Sequence, residues 1–519
     1  MPINPKVSFI TEDAVQDTSF YKTLVIVGQS NTAGEGLYKD IELKSEKEIN
    51  SIFGASSHIA SLLRDNKTML SNSIIKPKIW AISYEDLSGG VARILESVVA
   101  GTATESKTMN IKINSMNPDR LMTQAATVLA LRNTKGAYCG AYGRNSVEFG
   151  APSNINMPFN PILADAFDND VIVEVEITSG MTSTQAAAAI NAAINAKTTS
   201  IYGSSVVSST LTITSKHKGS VSNFFTFEVV PSSIAAGLSV TTTVDTAGTG
   251  TVVSTGILDI EDQDGMKLSE LDFNYIVIPY GYSVSALNLD AKAKWDNVLN
   301  YNNRCLEYNI FRATALDMSS LTALNSLASA EPISEANLPK SMFILRFGTD
   351  TLTIKGISDF SQREAIEAKQ FTPIQRELNG QISVGNTYSL SDSIGFIDLQ
   401  RLLNAGLFRE VIVEKFIPSD FVERNFTDGK SVNAYTYNKD NIIAKFQLYR
   451  DICDGSNVNS VYGTDYAGIV DNNAAARARF DELLSASIVF DKITKQLILK
   501  LISDLTNPIK SIFIISYYQ

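Results

Sequence analysis

Histidine is nearly absent: the 519 residues hold two, His58 and His217. Imidazole is the side chain most used for general acid–base work, metal ligation and catalytic triads. Few places therefore remain for such a site, and each can be checked. Cysteine is scarce too. Cys139, Cys305 and Cys453 stand alone, with no C-x-x-C spacing, which argues against a disulfide framework and a cysteine zinc site and suits a reducing context. Basic charge is in deficit, 44 Lys and Arg against 55 Asp and Glu, for a net charge of −11. A general nucleic-acid binder would need a basic face. No apolar run reaches the roughly 18 residues of a membrane span, and Ile512–Ile515 is far too short. The opening Met1-Pro2-Ile3-Asn4-Pro5-Lys6 lacks the basic and apolar regions of a signal peptide. No short-period repeat suggests a solenoid.

What is present is the composition of a folded chain. Hydrophobic residues make up 44% and charged residues 19%, which excludes wholesale disorder. At roughly 150 residues per domain the length suggests about three domains. Residues 1–20 read as an arm, with Lys6-Val7-Ser8-Phe9-Ile10 alternating like a short strand. Residues 21–100 read as α/β. Leu24-Val25-Ile26-Val27 and Lys78-Ile79-Trp80-Ala81-Ile82 are buried strands, and Ser45-x-x-Glu48 is a capping box for a helix stopped by Gly54. A second helix begins at His58.

At Gly101 the composition turns to Thr, Ser, Ala and Val, and stays so to residue 256. Met109–Ile113, Val171–Ile177, Val206–Thr214, Phe224–Val230 and Leu238–Val244 alternate as strands, and Thr182-x-x-Gln185 caps an Ala-rich helix. Thr246–Thr251 has the composition of a flexible linker. Residues 101–256 therefore read as an inserted β-rich domain. Residues 257–400 return to α/β, with strands at Tyr275–Pro279 and Met342–Phe347. Residues 401–506 are mixed and end in a helical region, Ala474–Leu505. The fold class expected is an α/β (α+β) core interrupted by an inserted β-rich domain, with extended N- and C-terminal strand arms. The last arm is residues 507–519.

The glycine-rich stretch Gly28-Gln29-Ser30-Asn31-Thr32-Ala33-Gly34 follows a strand but carries Glu35 where a P-loop has lysine. Its glycines read as a tight turn. Gly28-Gln29-Ser30-Asn31 resembles the nucleophile block of the sialate O-acetylesterase group of SGNH-type esterases, whose base comes from a late D-x-x-H block. Here Ala55 precedes His58 at that spacing, Thr214 precedes His217, and no histidine follows residue 217. Ser30 thus lacks a recognisable base. His217 reads as a solvated histidine in a polar turn, and His58 as a capping or surface residue. The acidic loop Asp259–Gly265 fails the calcium-loop register, which would put Ile260 and Leu271 at ligand positions. No metal or cofactor is expected.

The chain closes on Ile509-Lys510-Ser511-Ile512-Phe513-Ile514-Ile515-Ser516-Tyr517-Tyr518-Gln519. A β-branched, aromatic strand of this kind needs a partner. It is either an edge strand of its own domain or one donated to a neighbour. Residues 1–20 carry Lys6 against Glu12, Asp13 and Asp17, and residues 492–519 carry Lys492, Lys495, Lys500 and Lys510 against Asp504. Opposite signs favour head-to-tail pairing, which builds rings or open helices.

Three blocks then resemble the tail sheath proteins of contractile bacteriophages, in their Mu-like branch. The first joins Leu24–Gln29, Ile52-Phe53-Gly54-Ala55-Ser56-Ser57-His58-Ile59-Ala60 and Ile79-Trp80-Ala81-Ile82; Ala55 stands where the family has glycine. The second is Ala186–Ala196 with Leu211–Gly219 and Asn223, and the third is Phe273–Tyr280. Together they cover roughly residues 20–350, while residues 115–165 look like extra material and little beyond 400 matches. The resemblance implies a non-enzymatic virion subunit that polymerises around a tail tube and contracts to drive it through the host envelope. It implies strand exchange through Lys6, Val7, Ser8, Phe9 and Ile10 and through Ile509, Ile512, Phe513, Ile514, Ile515 and Tyr517. The implied partners are further copies of the chain, the tail tube protein, and baseplate and tail terminator proteins, without direct nucleic-acid contact or stable membrane insertion. An SGNH-type carbohydrate acetylesterase using Ser30, or another helical virion or injection-machine assembly protein, is the alternative.

Overall fold

A computed structural model describes residues 23–70, 77–85, 89–113, 171–250, 257–271, 275–278, 436–457 and 470–491. It adds shorter stretches at 309–316, 342–348, 372–376, 382–384, 425–426 and 496–498, and a few single positions. In chain order the first elements are β1 (Thr23–Gln29), β2 (Gly36–Tyr38), α1 (Glu46–Phe53), α2 (His58–Met69) and β3 (Lys78–Tyr84). Next come β4 (Ala92–Gly101), β5 (Lys107–Ile113), β6 (Val171–Ile177), α3 (Ser183–Ala196), β7 (Tyr202–Val207), β8 (Thr210–Lys218), β9 (Phe227–Val229) and β10 (Leu238–Thr246). The third group is β11 (Tyr275–Ile278), β12 (Asn309–Leu316), β13 (Met342–Gly348), β14 (Thr372–Arg376) and β15 (Ile382–Val384). The last is β16 (Asn425–Phe426), β17 (Thr436–Tyr437), α4 (Lys439–Cys453), α5 (Ala474–Ser487), β18 (Val489–Asp491) and β19 (Gln496–Ile498). The chain is thus of mixed α and β content, with several sheets.

The largest sheet has eight strands in the order β15-β14-β13-β12-β11-β1-β3-β2. Its six inner strands run parallel, and β2 and β15 close the two ends antiparallel. All seven residues of β1 are buried, as a continuous apolar run predicts for a strand covered on both faces. The chain leaves this sheet after β3 and rejoins it at β11, directly beside β1, with Leu24 opposite Tyr275. Between the two lie a four-stranded antiparallel sheet, β10-β4-β8-β7, and a three-stranded one, β6-β5-β9. The change of sheet falls at Val91, ahead of the shift in composition at Gly101, because β4 pairs with β8 and β10.

Helix α1 begins where the sequence places it. Ser45 accepts from the Glu48 N–H while the Glu48 carboxylate reaches back to Ser45, and Gly54 ends the helix at φ 86°. The same reciprocal cap, Thr182 with Gln185, opens α3. Ala186, Ala187, Ile190 and Ile194 of α3 are buried. They join one apolar cluster that also holds Val25, Val27, Ile111, Val173, Ile213 and Phe225, so both strand systems share a core.

Four expectations are corrected. Gly28 lies inside β1, not in a turn. A Cβ there would stand 2.9 Å from Ile59 Cβ and 3.1 Å from Ile59 Cα. Glycine is needed so that α2 can lie against the strand. The stretch 206–214 is a hairpin, with β7 ending at Val207 and β8 starting at Thr210. Ser208 takes φ 54° in the tight connection, the left-handed geometry that matches strand twist. The helix from Ala474 stops at Ser487, and β-branched and aromatic residues then form β18. Lastly, Thr246–Thr251 is not a free linker over its described part, as shown below.

Helices α4 and α5 pack Ile442, Phe446 and Tyr449 with Phe480 and Leu484, all buried. Arg450 is 5% exposed. It bonds the carboxylates of Asp451 and Asp481 and lies 5.4 Å from the Phe480 ring centroid. Arg477 pairs with Asp451 (2.7 Å) and with Asp454. Burial pushes the fully enclosed Cys453 thiol well up, so it behaves as a small apolar group.

Candidate functional site

The segment after β1 supplies the residues that suggested a nucleophile. The Ser30 hydroxyl donates to the Phe53 carbonyl (3.0 Å) and accepts from Thr32 N–H (3.2 Å) and Ala33 N–H (2.8 Å). Asn31 Nδ2 donates to Ser56 Oγ (2.9 Å), and Thr32 Oγ1 donates to the Ile52 carbonyl (2.7 Å). Ser30 and Thr32 tie the end of β1 to the last turn of α1, whose terminal carbonyls need partners, and Asn31 ties it to the turn that follows. Ser30 is 5% exposed, and none of its hydrogen-bond partners is an imidazole. Gln29 is fully buried, and its Nε2 donates to the Lys218 carbonyl (2.9 Å), joining β1 to β8.

The two histidines meet at the same junction. His58 and His217 are both 0% exposed, which corrects the solvated-turn reading of the second and the surface reading of the first. His217 lies in β8, and its Nε2 accepts the backbone N–H of His58 at 2.9 Å, although the two are 159 residues apart. That N–H is one of the unpartnered donors of the first turn of α2, and Ser57 Oγ accepts another from Ala60 (3.1 Å). A ring from the four-stranded sheet therefore caps a helix of the parallel sheet. An accepting Nε2 carries no proton, so the ring is not the imidazolium.

Phe225 packs against both rings, with centroids 5.3 Å from His58 and 6.2 Å from His217. Its carbonyl is held by Arg93 Nη1 (2.6 Å) and by the Tyr202 hydroxyl (2.7 Å). Burial pushes the Tyr202 phenol up to about 12, so it stays a neutral donor. Below this lies a neck where the chain enters and leaves. Val91 and Thr249 exchange backbone hydrogen bonds of 2.9 and 3.1 Å, and the Asn223 amide donates to and accepts from Gly248 (2.9 and 2.7 Å). Any Cβ at Gly248 would lie 2.1 Å from Ser222 Oγ. Thr246–Gly250 is thus pinned, not loose.

Replacing His217 by Phe keeps an aromatic ring but strands the His58 N–H. The expected loss is about 1–3 kcal/mol, the desolvation cost of one buried unsatisfied donor, read from denaturant unfolding. His217→Gln, whose carbonyl can still accept, should lose less. Equal stability of His217→Phe and the parent would remove the cap from the account.

The acidic loop is a built turn. Asp262 Oδ1 accepts from Asp264 N–H and Met266 N–H (2.9 and 2.8 Å), and Lys39 pairs with its other oxygen at 2.5 Å. The Lys39 contact holds the Asp262 carboxyl below its usual range. Among the described residues no group of three or more His, Cys, Asp or Glu side chains could hold a metal ion. Among them, too, no helix is long and apolar enough to cross a membrane. The interface residues Lys6–Ile10 and Ile509–Tyr517 fall outside the described residues.

A further feature was not legible in the sequence. β18 and β19 form an antiparallel two-stranded ladder, Val489 opposite Ile498, that pairs with no third strand among the described residues. Val489 is 56% exposed. No model of a known protein family matches the chain, and no curated protein does.

Proposed function

We propose that the chain is a structural subunit of a contractile tail sheath, polymerising around a tail tube by exchange of strands and shortening to drive the tube through a host envelope. The observation that carries this reading is the β18–β19 ladder, which stands in sequence just before the apolar segment Ile509–Tyr518. Two strands alone are marginal in water, and their outward N–H and C=O groups are a template for added strands. Lys6–Ile10 and Ile509–Tyr518 of neighbouring copies are the strands proposed to fill those edges. Ladder hydrogen bonds can persist while side-chain interfaces repack, which is what a tether between sliding rigid bodies requires.

Two further observations support the reading. The interruption of the parallel sheet between β3 and β11 suits a core common to a family with a second domain inserted into it and packed against it. The hydroxyl of Ser30, committed to three backbone partners, is poorly placed to serve as a nucleophile. The proposed subunit has no cofactor, and its location is the virion tail, assembled in the host cytoplasm.

Deleting residues 1–12 tests the N-terminal half of the proposal. The shortened chain should stay folded by circular dichroism and lose polymerisation, followed by light scattering. Unaltered polymerisation would sink the arm at that end.

A further inference from the structure

The four-stranded sheet β10-β4-β8-β7 treats its two edges differently. At the β7 edge, Asn195 Nδ2 donates to the Ser204 carbonyl (2.8 Å) and Asn195 Oδ1 accepts from the Ser204 N–H (3.0 Å). A side-chain amide of α3 stands where the peptide of another strand would dock, and occupies that edge at Ser204. At the other edge, β10 pairs only with β4 among the described residues. Its nine residues, LSVTTTVDT, contain no Lys and no Pro, the usual guards of an edge.

The ladder fixes which peptides of β10 face outward. Leu238 lies opposite Gly101, and Thr102 N–H donates to the Gly237 carbonyl at 3.0 Å. Bonded and non-bonded pairs alternate in an antiparallel ladder. Ser239, Thr241 and Thr243 therefore bond to β4, while Val240, Thr242 and Val244 turn N–H and C=O away from it. The 2.6 Å contact of Ser97 Oγ with Thr242 Oγ1 agrees, since side chains approach most closely in non-bonded pairs. Val244 is 54% exposed.

We propose that β10 pairs antiparallel with β10 of a second copy of this chain, about a two-fold axis at Thr242. In that register Thr242 faces Thr242, Val240 faces Val244, and Asp245, the one charge of the strand, faces Ser239. No like charges meet, every outward peptide from Val240 to Val244 finds a partner, and the exposed Val244 is covered by Val240 of the other copy. The contact is isologous and closes on itself. It cannot join neighbours in a polar tube, where all subunits point the same way. It belongs to the unassembled subunit, whose open edge it protects, and it does not rest on the sheath reading.

The test uses the full chain. With Thr242→Cys, two bonded residues on the axis have Cα atoms about 5.5 Å apart, within disulfide reach. Mild oxidation should give a covalent dimer on a denaturing gel, and Thr212→Cys, on β8 away from the edge, should give none. Thr242→Pro removes an outward N–H together with the hydroxyl that meets Ser97, and Val244→Lys adds a guarding charge at an exposed site while leaving that contact in place. Each should weaken dimerisation in sedimentation at least tenfold, with unchanged circular dichroism. No cross-linked dimer from Thr242→Cys, or undiminished association of Val244→Lys, overturns the proposal; a segment of the same chain covering β10 would give the first result. Dimers without tubes would count against the sheath alone, and tubes without dimers against this contact alone.

Discussion

The double substitution Ile512→Asp, Ile514→Asp should abolish assembly and leave the subunit folded. In the proposed strand Ile509–Tyr518 the two residues fall on one face, since strand side chains alternate with period two. If that face is buried against a neighbour, each carboxylate must be desolvated there with no partner. An uncompensated buried charge costs about 3 kcal/mol or more. At 1.4 kcal/mol per tenfold, even one such charge weakens association more than about a hundredfold. The folded state of the single subunit is untouched in this account, so far-UV circular dichroism and the unfolding midpoint should match the parent. Normal assembly of the double variant would remove the C-terminal strand from the interface. Loss of folding would instead place it as an edge strand within its own subunit.

Arg450→Ala lowers the unfolding free energy by about 3 kcal/mol. The side chain is nearly enclosed, lies over Phe480, and bridges Asp451 on α4 to Asp481 on α5. Breaking a buried ion pair by deleting one partner costs about 3–5 kcal/mol. The lower figure applies because the side chains of Asp451 and Asp481 keep 29% and 37% of their exposure and can be rehydrated. Arg477, which also binds Asp451, limits the loss further. Arg450→Met restores packing on Phe480 without the charge and should recover part of the stability. The Cys453 thiol offers an independent reading. It should resist alkylation in the parent, where it is fully buried in the last turn of α4 three residues after Arg450, and become reactive if Arg450→Ala loosens that turn. Parent-like stability of Arg450→Ala would show that the ion pairs of Arg450 contribute nothing.

Local rules made part of this fold legible. The caps Ser45–Glu48 and Thr182–Gln185 are four-residue patterns, and the buried strands β1 and β3 are built on unbroken apolar runs, so both follow from neighbours in sequence. The hairpin at Ser208 was missed because its turn lacks the Gly or Asn that usually marks such geometry. β4 was missed because Ala92–Gly101 is cut by the composition shift that served as a boundary. His217 was misread for its polar neighbours, although Leu211, Ile213, Ser215 and His217 alternate on one buried face of β8. That period-two pattern was the available signal, and chemical type overrode it. The meeting of His58 with His217, the return of β11 beside β1, and the clamp of Asn223 on Gly248 join residues remote in sequence. No local pattern carries such pairings, because they are decided by which sheets share a core.

The strand-exchange sheath is the central claim, and negative-stain electron microscopy of the purified full chain tests it most directly. The account predicts hollow tubes of uniform width, absent from the Ile512→Asp, Ile514→Asp variant. Monodisperse monomers or closed dimers at high concentration, with no tubes under any condition that keeps the chain folded, would contradict it.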